Sequence, residues 1–354
     1  MTADATAAQT PASPSAAPAP AAPASAGAAT RTARRLPSGW LTIAAKELSD
    51  HVLSSRFYVL LVVLGIAALI PLYFAAERIR SLAEAASGSP AVFLALFVIE
   101  PEGVDFGPIS FTVQAFIAIA APLLGVAFGF DAVNGERHQG TLPRLLSQPI
   151  HRDDVINGKF AAGLAAIALA LAALVLFIVG FGMLRLGIGP SLEEILRLIS
   201  WFALTVLYVG LWLAFGTLLS VVVRRAATSA LVGFGVWLFV ALPIAGPLLL
   251  AFLGRFLVAG ATTPAEYYGT LQWVQRLLPG QLYAEASAAL LSPGVTTVSS
   301  ADPYVVSSLP DAGTLLSFDQ SLLLVWPHIV ILFALTIGCF ALAYARFMRQ
   351  EVRA

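Results

Sequence analysis

The sequence predicts an all-α integral membrane protein in which six helices cross the bilayer. Composition is the first reason, because 58% of the residues are hydrophobic and only 11% are charged, whereas soluble domains carry about 25% charged residues. The second reason is a set of apolar segments close to the roughly 20 residues that a membrane-crossing helix needs. Six such segments lack Asp, Glu, Lys and Arg, and they are roughly 57–76, 109–130, 160–182, 198–223, 228–253 and 322–345.

Two regions precede the first span. Residues 1–37 are rich in Ala and Pro and contain no apolar run that could form a core, so we expect a disordered cytoplasmic tail before a membrane domain at 38–354. Within Trp40–Ser55, apolar residues alternate with charged ones at helical spacing. This pattern favours an amphipathic helix that lies in the headgroup region, with Trp40 at the interface. The alternative is a solvated cap before the first span.

The distribution of Lys and Arg predicts the orientation of the spans. Fourteen of these residues lie at the ends and loops of one side and six on the other side. By the positive-inside rule, both termini and the loop 131–159 are cytoplasmic, and the chain is a multi-pass protein of the cell membrane. In the second span, Gly125 and Gly129 form a GxxxG pair, a spacing that permits close contact between helices.

Two segments on the outer side are longer than simple turns. Residues 77–108 contain the apolar run Pro90–Ile99, which is too short to span a bilayer. The outer loop 254–321 contains a capping box at Thr263–Glu266, which predicts a helix as far as about Leu278. A second helix is predicted at Gln281–Leu291. These outer helices form a lid over the spans in our interpretation, with no site in them.

Several kinds of chemistry are absent from the sequence. Gly158-Lys159 is followed by Phe160 and lacks the remainder of a GxxxxGK[ST] phosphate loop. The single cysteine excludes an internal disulfide and a cysteine-based metal site. HExxH and GxSxG motifs do not occur, which argues against a protease. The formal net charge is zero, so no overall field favours nucleic acid. We therefore expect no enzyme activity, metal site or cofactor site in this chain.

The cytoplasmic loop 131–159 is the most polar segment between two spans. It contains a short apolar island at helical spacing, formed by Leu142, Leu145 and Leu146. Thr141 can cap one or two helical turns, and Pro149 ends them. A protein that docked on these leucines would push on the second and third spans. The alternative is a surface loop whose leucines dip into lipid, and residue types alone do not separate the two interpretations.

The same loop carries a motif that resembles that of a known family. The matching residues are Glu136, Gly140-Thr141-Leu142, Leu145-Leu146, Pro149-Ile150, Arg152 and Gly158-Lys159. They are similar to the signature of ABC transporter permeases of the type-two exporter superfamily, closest to the branch that includes the permease of nitrous-oxide-reductase maturation systems. Lys46-Glu47, Leu278-Pro279 and the ending Phe347–Arg353 are also similar to that family. His151 departs from the pattern, which has Ser or Thr there, and this puts the local capping bond in doubt.

The resemblance implies a function and a set of site residues. Thr141–Gln148 would be a coupling helix that docks onto a separate ABC ATPase subunit, which would hold ATP and Mg. A second copy of the permease would complete the transporter, and an apolar or amphipathic cargo would be exported. The residues implied in coupling are Glu136, Gly140, Thr141, Leu142, Leu145, Leu146, Pro149, Arg152, Gly158 and Lys159.

Two other functions remain open at this stage. A secondary carrier needs a polar or ionisable group within its spans, and the only candidates besides hydroxyl residues are Gln114 and His328. Both lie near the outer start of a span, where polar residues are usually interfacial, and we favour that interpretation. The other alternative is a membrane scaffold that assists the maturation of an extracytoplasmic enzyme.

Overall fold

The computed structural model describes residues 39–82, 91–100, 110–138, 140, 151–241, 248, 252–256, 263, 266, 273–295 and 315–350. Almost all of these residues belong to helices. In chain order the helices are α1 (Gly39–Val52), α2 (Ser55–Ser81), α3 (Val92–Val98), α4 (Val113–Gly129), α5 (Asn134–His138), α6 (Arg152–Leu186), α7 (Leu192–Val222), α8 (Ala226–Ala241), α9 (Pro279–Leu291) and α10 (Phe318–Met348). The predicted tail 1–37 lies outside the described residues.

The described helices confirm an all-α membrane architecture. Within the described residues, five are long and apolar enough to cross a membrane: Ser55–Ser81, Val113–His138, Arg152–Leu186, Leu192–Val222 and Phe318–Met348. They correspond to predicted spans one to four and six. The predicted fifth span, 228–253, contains the shorter apolar helix α8, and much of its second half lies outside the described residues. The count of six spans and their orientation therefore stay predictions.

The spanning helices α6 and α7 begin well before the predicted apolar segments, because polar first turns continue each helix. At the start of α7, the Ser191 side chain and Glu194 form both hydrogen bonds of a capping box. At the start of α6, Asp153 and Asp154 lie where the helix dipole favours negative charge. These added turns contain the charged residues Lys159 and Arg197, which are buried.

The GxxxG pair brings α4 and α7 into backbone contact, as predicted. A Cβ atom on Gly125 would lie 2.6 Å from the carbonyl oxygen of Val209, and one on Gly129 would lie 2.8 Å from that of Leu213. Gly216 on α7 faces Gly129 directly, with an added Cβ 3.1 Å from the Gly129 Cα. Only hydrogen side chains fit this crossing.

The two ends of the bundle differ in the segments they hold. At one end, here called the motif end, α1 packs against α6, and Arg56 of α2 lies 3.0 Å from Asp131, which follows α4. At the opposite end, Arg185 of α6 lies 3.1 Å from Glu77 of α2. The loop 131–159 is attached to the motif end.

The outer segments are part of the core at the opposite end. All seven residues of α3 are buried, and the Phe93 amide donates to Glu194 Oε1 at 2.9 Å. The predicted helix Gln281–Leu291 is confirmed as α9, but it begins at Pro279, which occupies the first turn, where a proline needs no hydrogen-bond acceptor. At the earlier capping box, the Glu266 amide donates to Thr263 Oγ1 at 3.2 Å. Most of the helix predicted after it lies outside the described residues.

Candidate functional site

A buried lysine at the motif end joins three helices. Lys159 Nζ lies 3.0 Å from Oε1 of Glu47 on α1 and 3.3 Å from Oε1 of Glu136 on α5. The Lys159 side chain is only 7% exposed, so water screens these ion pairs weakly. One ammonium group therefore holds two carboxylates from distant parts of the sequence. We call Glu47, Glu136 and Lys159 the motif triad.

The glycine before this lysine permits the approach of α1 to α6. A Cβ atom on Gly158 would lie 2.8 Å from the Ile43 Cβ and 2.8 Å from the Trp40 carbonyl oxygen. These distances are far below van der Waals contact, so a larger side chain would displace α1. The Gly-Lys pair thus has two linked roles, because its glycine sets the helix separation that lets its lysine reach Glu47.

A second network ties the end of the chain to the same region. Gln350, just after α10, contacts the Arg137 guanidinium, and its Nε2 donates to the Val221 carbonyl oxygen at 2.8 Å. Arg152 Nη2, in the first turn of α6, donates to the Gln350 carbonyl oxygen at 3.1 Å. Residues of α5, α6, α7 and the end of α10 therefore share one set of polar contacts beside the motif triad.

A buried serine fixes the short helix α5 against α7. Ser220 Oγ accepts hydrogen bonds from the amides of Val133 and Asn134 at 2.9 and 3.0 Å. The Asn134 side chain is fully buried, and neither its nitrogen nor its oxygen has a hydrogen-bond partner among the described residues. Gly140, which follows α5, has a φ of +67°, a left-handed conformation that favours glycine. The chain thus leaves a fixed helix through a glycine turn.

The structure describes some of the predicted coupling residues and not others. Glu136, Arg152, Gly158 and Lys159 meet at the motif end, and Gly140 forms the turn that leads into the loop. Thr141, Leu142, Leu145, Leu146 and Pro149 lie outside the described residues, as does the predicted coupling helix Thr141–Gln148. At the N-cap of α6, the His151 side chain makes no capping hydrogen bond, in keeping with the departure noted in the sequence.

Four residues of this region were missed as site residues. Glu47 and Gln350 belong to segments that resemble the family. Both could have been found by asking which acidic and amide residues of those segments can pair with the basic residues of the loop. Arg137 follows Glu136 in the sequence and entered the prediction only in the count of basic residues on the cytoplasmic side. For Ser220 the sequence contains no signal, because its partners are backbone amides.

A second polar cluster lies at the opposite end, and it corrects the interfacial interpretation of Gln114 and His328. His328 is 6% exposed, and its Nε2 lies 3.0 Å from Oε2 of Glu285 on α9. Arg276 Nε and Gln281 Nε2 donate to the same carboxylate at 2.8 and 3.0 Å. Gln114 is fully buried, and its Nε2 donates to the Ala284 carbonyl oxygen at 3.4 Å. The outer loop therefore supplies a buried acid, contrary to our expectation that it held no site.

The ionisation of Glu285 follows from opposing effects. Burial raises the pKa of this carboxyl, but hydrogen bonds from His328, Gln281 and Arg276 outweigh it, and the net pKa is below the usual value. Glu285 thus stays ionised although the structure buries it almost completely.

An apolar groove begins at Phe160, the residue that follows Lys159 of the motif triad. It has a volume of about 390 Å³ and lies between α6, α7 and α10. Its walls include Phe160, Leu164, Val206, Phe333 and Phe340, and Thr336 supplies a hydroxyl. The ring centroids of Phe160 and Phe340 lie 4.4 Å apart at the side of the groove nearest the motif end. Such a groove suits an apolar group rather than an ion.

Comparison with known proteins agrees with the motif. Residues 41–352 match the family described as ABC-2 family transporter protein. A protein of Stutzerimonas stutzeri described as probable ABC transporter permease protein NosY is 30% identical over 189 residues, and a protein of Pseudomonas aeruginosa with the same description is 31% identical over 189 residues. Each alignment covers 51% of this chain and 64% of the relative. The family resemblance predicted from the loop residues is confirmed.

Proposed function

The chain belongs to the ABC-2 transporter family, and from that premise we propose that it is the permease subunit of an ATP-driven transporter. A separate ABC ATPase subunit on the cytoplasmic side hydrolyses ATP, and this chain moves the cargo. In this proposal the motif end faces the cytoplasm, in agreement with the excess of Lys and Arg there.

One observation carries the coupling mechanism: the Glu136–Lys159 ion pair joins the two ends of the loop. Glu136 precedes the loop segment 141–150 and Lys159 follows it, and their charged atoms lie 3.3 Å apart. A force applied to the predicted coupling helix therefore acts on a loop whose two ends are joined by an ion pair. Lys159 transmits that force to α1 through Glu47, and Arg152 transmits it to the end of α10.

The apolar groove supports an apolar or amphipathic cargo. Its lining residues come from α6, α7 and α10, of which α6 carries Lys159 of the motif triad and α10 is followed by Gln350. A shift of α6 relative to α10 would change the width of the groove. We propose export as the direction of transport and a second copy of this chain as the other half of the transporter.

The decisive experiment compares matched leucine variants in the transporter complex. Leu145→Asp places a charge on the face proposed to dock with the ATPase, whereas Leu184→Asp places one on an exposed leucine at the opposite end. The tagged chain is purified from its native membrane, and the ATPase that co-purifies is identified by a phosphate-binding loop. We expect L145D to insert normally but to lose the co-purifying ATPase, and L184D to retain it. Equal retention of the ATPase by both variants would overturn the proposal.

A secondary carrier is the second candidate, because Glu285 and His328 form a buried acid–imidazole pair against α10. The sequence contains no acid within the predicted spans, and the structure places Glu285 of α9 against His328 of α10. This alternative expects the purified chain alone, in liposomes, to move solute in response to a pH gradient, and expects Glu285→Gln to abolish that movement. Absence of such flux with the wild-type chain removes this alternative.

A further inference from the structure

Four exposed arginines at the motif end have no ion-pair or hydrogen-bond partner for their side chains among the described residues. Two lie between α7 and α8, and two lie at the end of α10; they are Arg224, Arg225, Arg346 and Arg349. We call them the basic patch. None of them belongs to the motif triad or to the Gln350 network.

Packing brings the two pairs of arginines to the same part of the surface. Val221 and Phe347 are both buried in one small apolar cluster, and Gln350 Nε2 donates to the Val221 carbonyl oxygen at 2.8 Å. The end of α10 therefore lies against the end of α7. Arg137 also donates to the Val221 carbonyl oxygen, so a further cation lies at this junction. Positive charge is thus concentrated here, and no described acidic residue pairs with any of the four arginines.

The position of Arg224 and Arg225 is electrostatically unfavourable within the chain alone. They immediately precede α8, and the N-terminus of a helix carries partial positive charge that disfavours cations. The first turn of α8 contains no acidic residue. Arg346, by contrast, lies in the last turn of α10, where the dipole favours a cation. No acidic residue in the described part of the chain forms an ion pair with Arg224 or Arg225.

The surface next to the basic patch is apolar. Val222, the last residue of α7, is 52% exposed, and Leu342 on α10 is 62% exposed. Both lie on helices long and apolar enough to span the bilayer. The arginines therefore stand where the apolar part of each helix ends, which is the level of the lipid headgroups.

We propose that the basic patch binds the phosphate headgroup of an anionic phospholipid, whose acyl chains lie against Val222 and Leu342. Guanidinium groups match phosphate oxygens in paired hydrogen bonds, and the partial positive charge at the N-terminus of α8 favours the same anion. A soluble phosphate would use the cations but not the adjoining apolar surface, and a lipid uses both. The site concerns the bilayer, so it stands whether or not an ATPase docks on the neighbouring loop.

The test measures lipid retention by the full chain. The wild type is purified in a neutral detergent, mixed with phosphatidylglycerol or with phosphatidylcholine of the same acyl chains, and bound lipid is counted by native mass spectrometry. Arg224→Gln/Arg225→Gln and Arg346→Gln/Arg349→Gln are the test variants. Arg80→Gln/Arg255→Gln removes the same charge from regions outside the basic patch and is the control. Inorganic phosphate is added as a competitor in a separate arm.

The wild type and the control should retain phosphatidylglycerol in preference to phosphatidylcholine. Each lost arginine should weaken retention about fivefold, so each double variant of the basic patch should weaken it about 25-fold. Excess inorganic phosphate should displace little of the lipid. Equal retention by wild type and patch variants would overturn the proposal. So would variants that keep the lipid but lose a bound protein subunit, because the patch would then be a protein interface.

Discussion

Lys159 of α6 and Glu47 of α1 form an ion pair of 3.0 Å, in which the lysine side chain is 7% exposed and the glutamate side chain 13% exposed. The pair fastens the first helix of the membrane domain to the helix that follows the motif loop. Because Lys159 also contacts Glu136 at 3.3 Å, the position of the loop and the position of α1 depend on one ammonium group. Four predictions follow from this arrangement and from the other buried polar contacts.

Lys159→Met should destabilise the protein strongly. The methionine keeps most of the volume of the lysine side chain but removes the one cation that Glu47 and Glu136 share. Removal of one partner from a buried charge pair costs about 3 kcal/mol or more. The free energy of unfolding, measured by titration from mild detergent into a denaturing one, checks this value.

Lys46→Met is the matched control for that variant. Lys46 is 64% exposed, and its ammonium group pairs with exposed Asp50 at 2.8 Å and lies 3.5 Å from Glu47, so the control removes an exposed cation next to the same carboxylate. Surface pairs contribute at most about 1 kcal/mol, so this variant should unfold close to the wild-type midpoint. An equal loss of stability in the two lysine variants would contradict the larger contribution assigned to the buried Lys159 ion pairs.

Gly158→Ala and Gly180→Ala should have opposite effects on stability, although both lie within α6. The new methyl group at position 158 would lie 2.8 Å from Ile43 and from the Trp40 carbonyl oxygen, which forces α1 outward and costs about 2 kcal/mol. No atom of a neighbouring element lies within 4 Å of the methyl group at position 180. There alanine should stabilise the helix by up to about 1 kcal/mol. Thermal unfolding in micelles distinguishes the two variants, and protease access to α1 is a second readout. A G158A variant that is as stable as the wild type and still protects α1 would contradict the close contact of α1 with α6.

The sequence predicts those parts of the fold that depend on local patterns. Apolar length located the spanning helices, and the GxxxG spacing located the contact of Gly125 and Gly129 with α7. The family motif located Glu136 and Lys159, although not the fact that they touch. The starts of α6 and α7 lie before the predicted spans, because an apolar window ends where the hydrocarbon ends, whereas the polar first turns outside it continue the same helix.

Contacts between distant segments could not be predicted from one sequence. Glu285 lies in an outer segment with no acidic pattern around it, and only packing of α9 against α10 brings its carboxylate 3.0 Å from His328. Ser220 caps α5 through backbone amides, which every residue possesses, so no residue pattern points to it. Polar residues near the ends of spans are commonly interfacial, and Gln114 and His328 depart from that rule because the outer helices cover them.

His51 should make the protein less stable in mild acid. Its ring on α1 packs edge-on against Phe128 at 5.0 Å, and burial is the main cause of a pKa below the ordinary value of 6.5. The unfolded chain binds a proton near pH 6.5 and the folded chain only at lower pH, so stability falls as the pH drops below 6.5 and levels off below the folded pKa. His51→Phe should remove this slope, and His138→Gln, at an exposed position, should keep it. Unfolding midpoints measured between pH 8 and about pH 5 provide the test, and an unchanged slope in H51F would count against it.

Glu285→Gln should destabilise the opposite end of the bundle and change its response to acid. Glutamine keeps the shape of the side chain but removes the charge that faces Arg276 at 2.8 Å and His328 at 3.0 Å, a loss of about 3 kcal/mol at neutral pH for a buried pair. The folded pKa of Glu285 lies below its ordinary value of 4.5. Its stabilising contribution is therefore complete above pH 4.5 and is lost as the pH falls through the lower folded pKa. The stability difference between wild type and E285Q should thus be constant from pH 7 to about pH 5 and shrink in stronger acid.

The control is Glu77→Gln, at an exposed ion pair, which should change stability by less than about 1 kcal/mol. A difference between wild type and E285Q that grew in acid would mean that Glu285 is protonated in the folded protein.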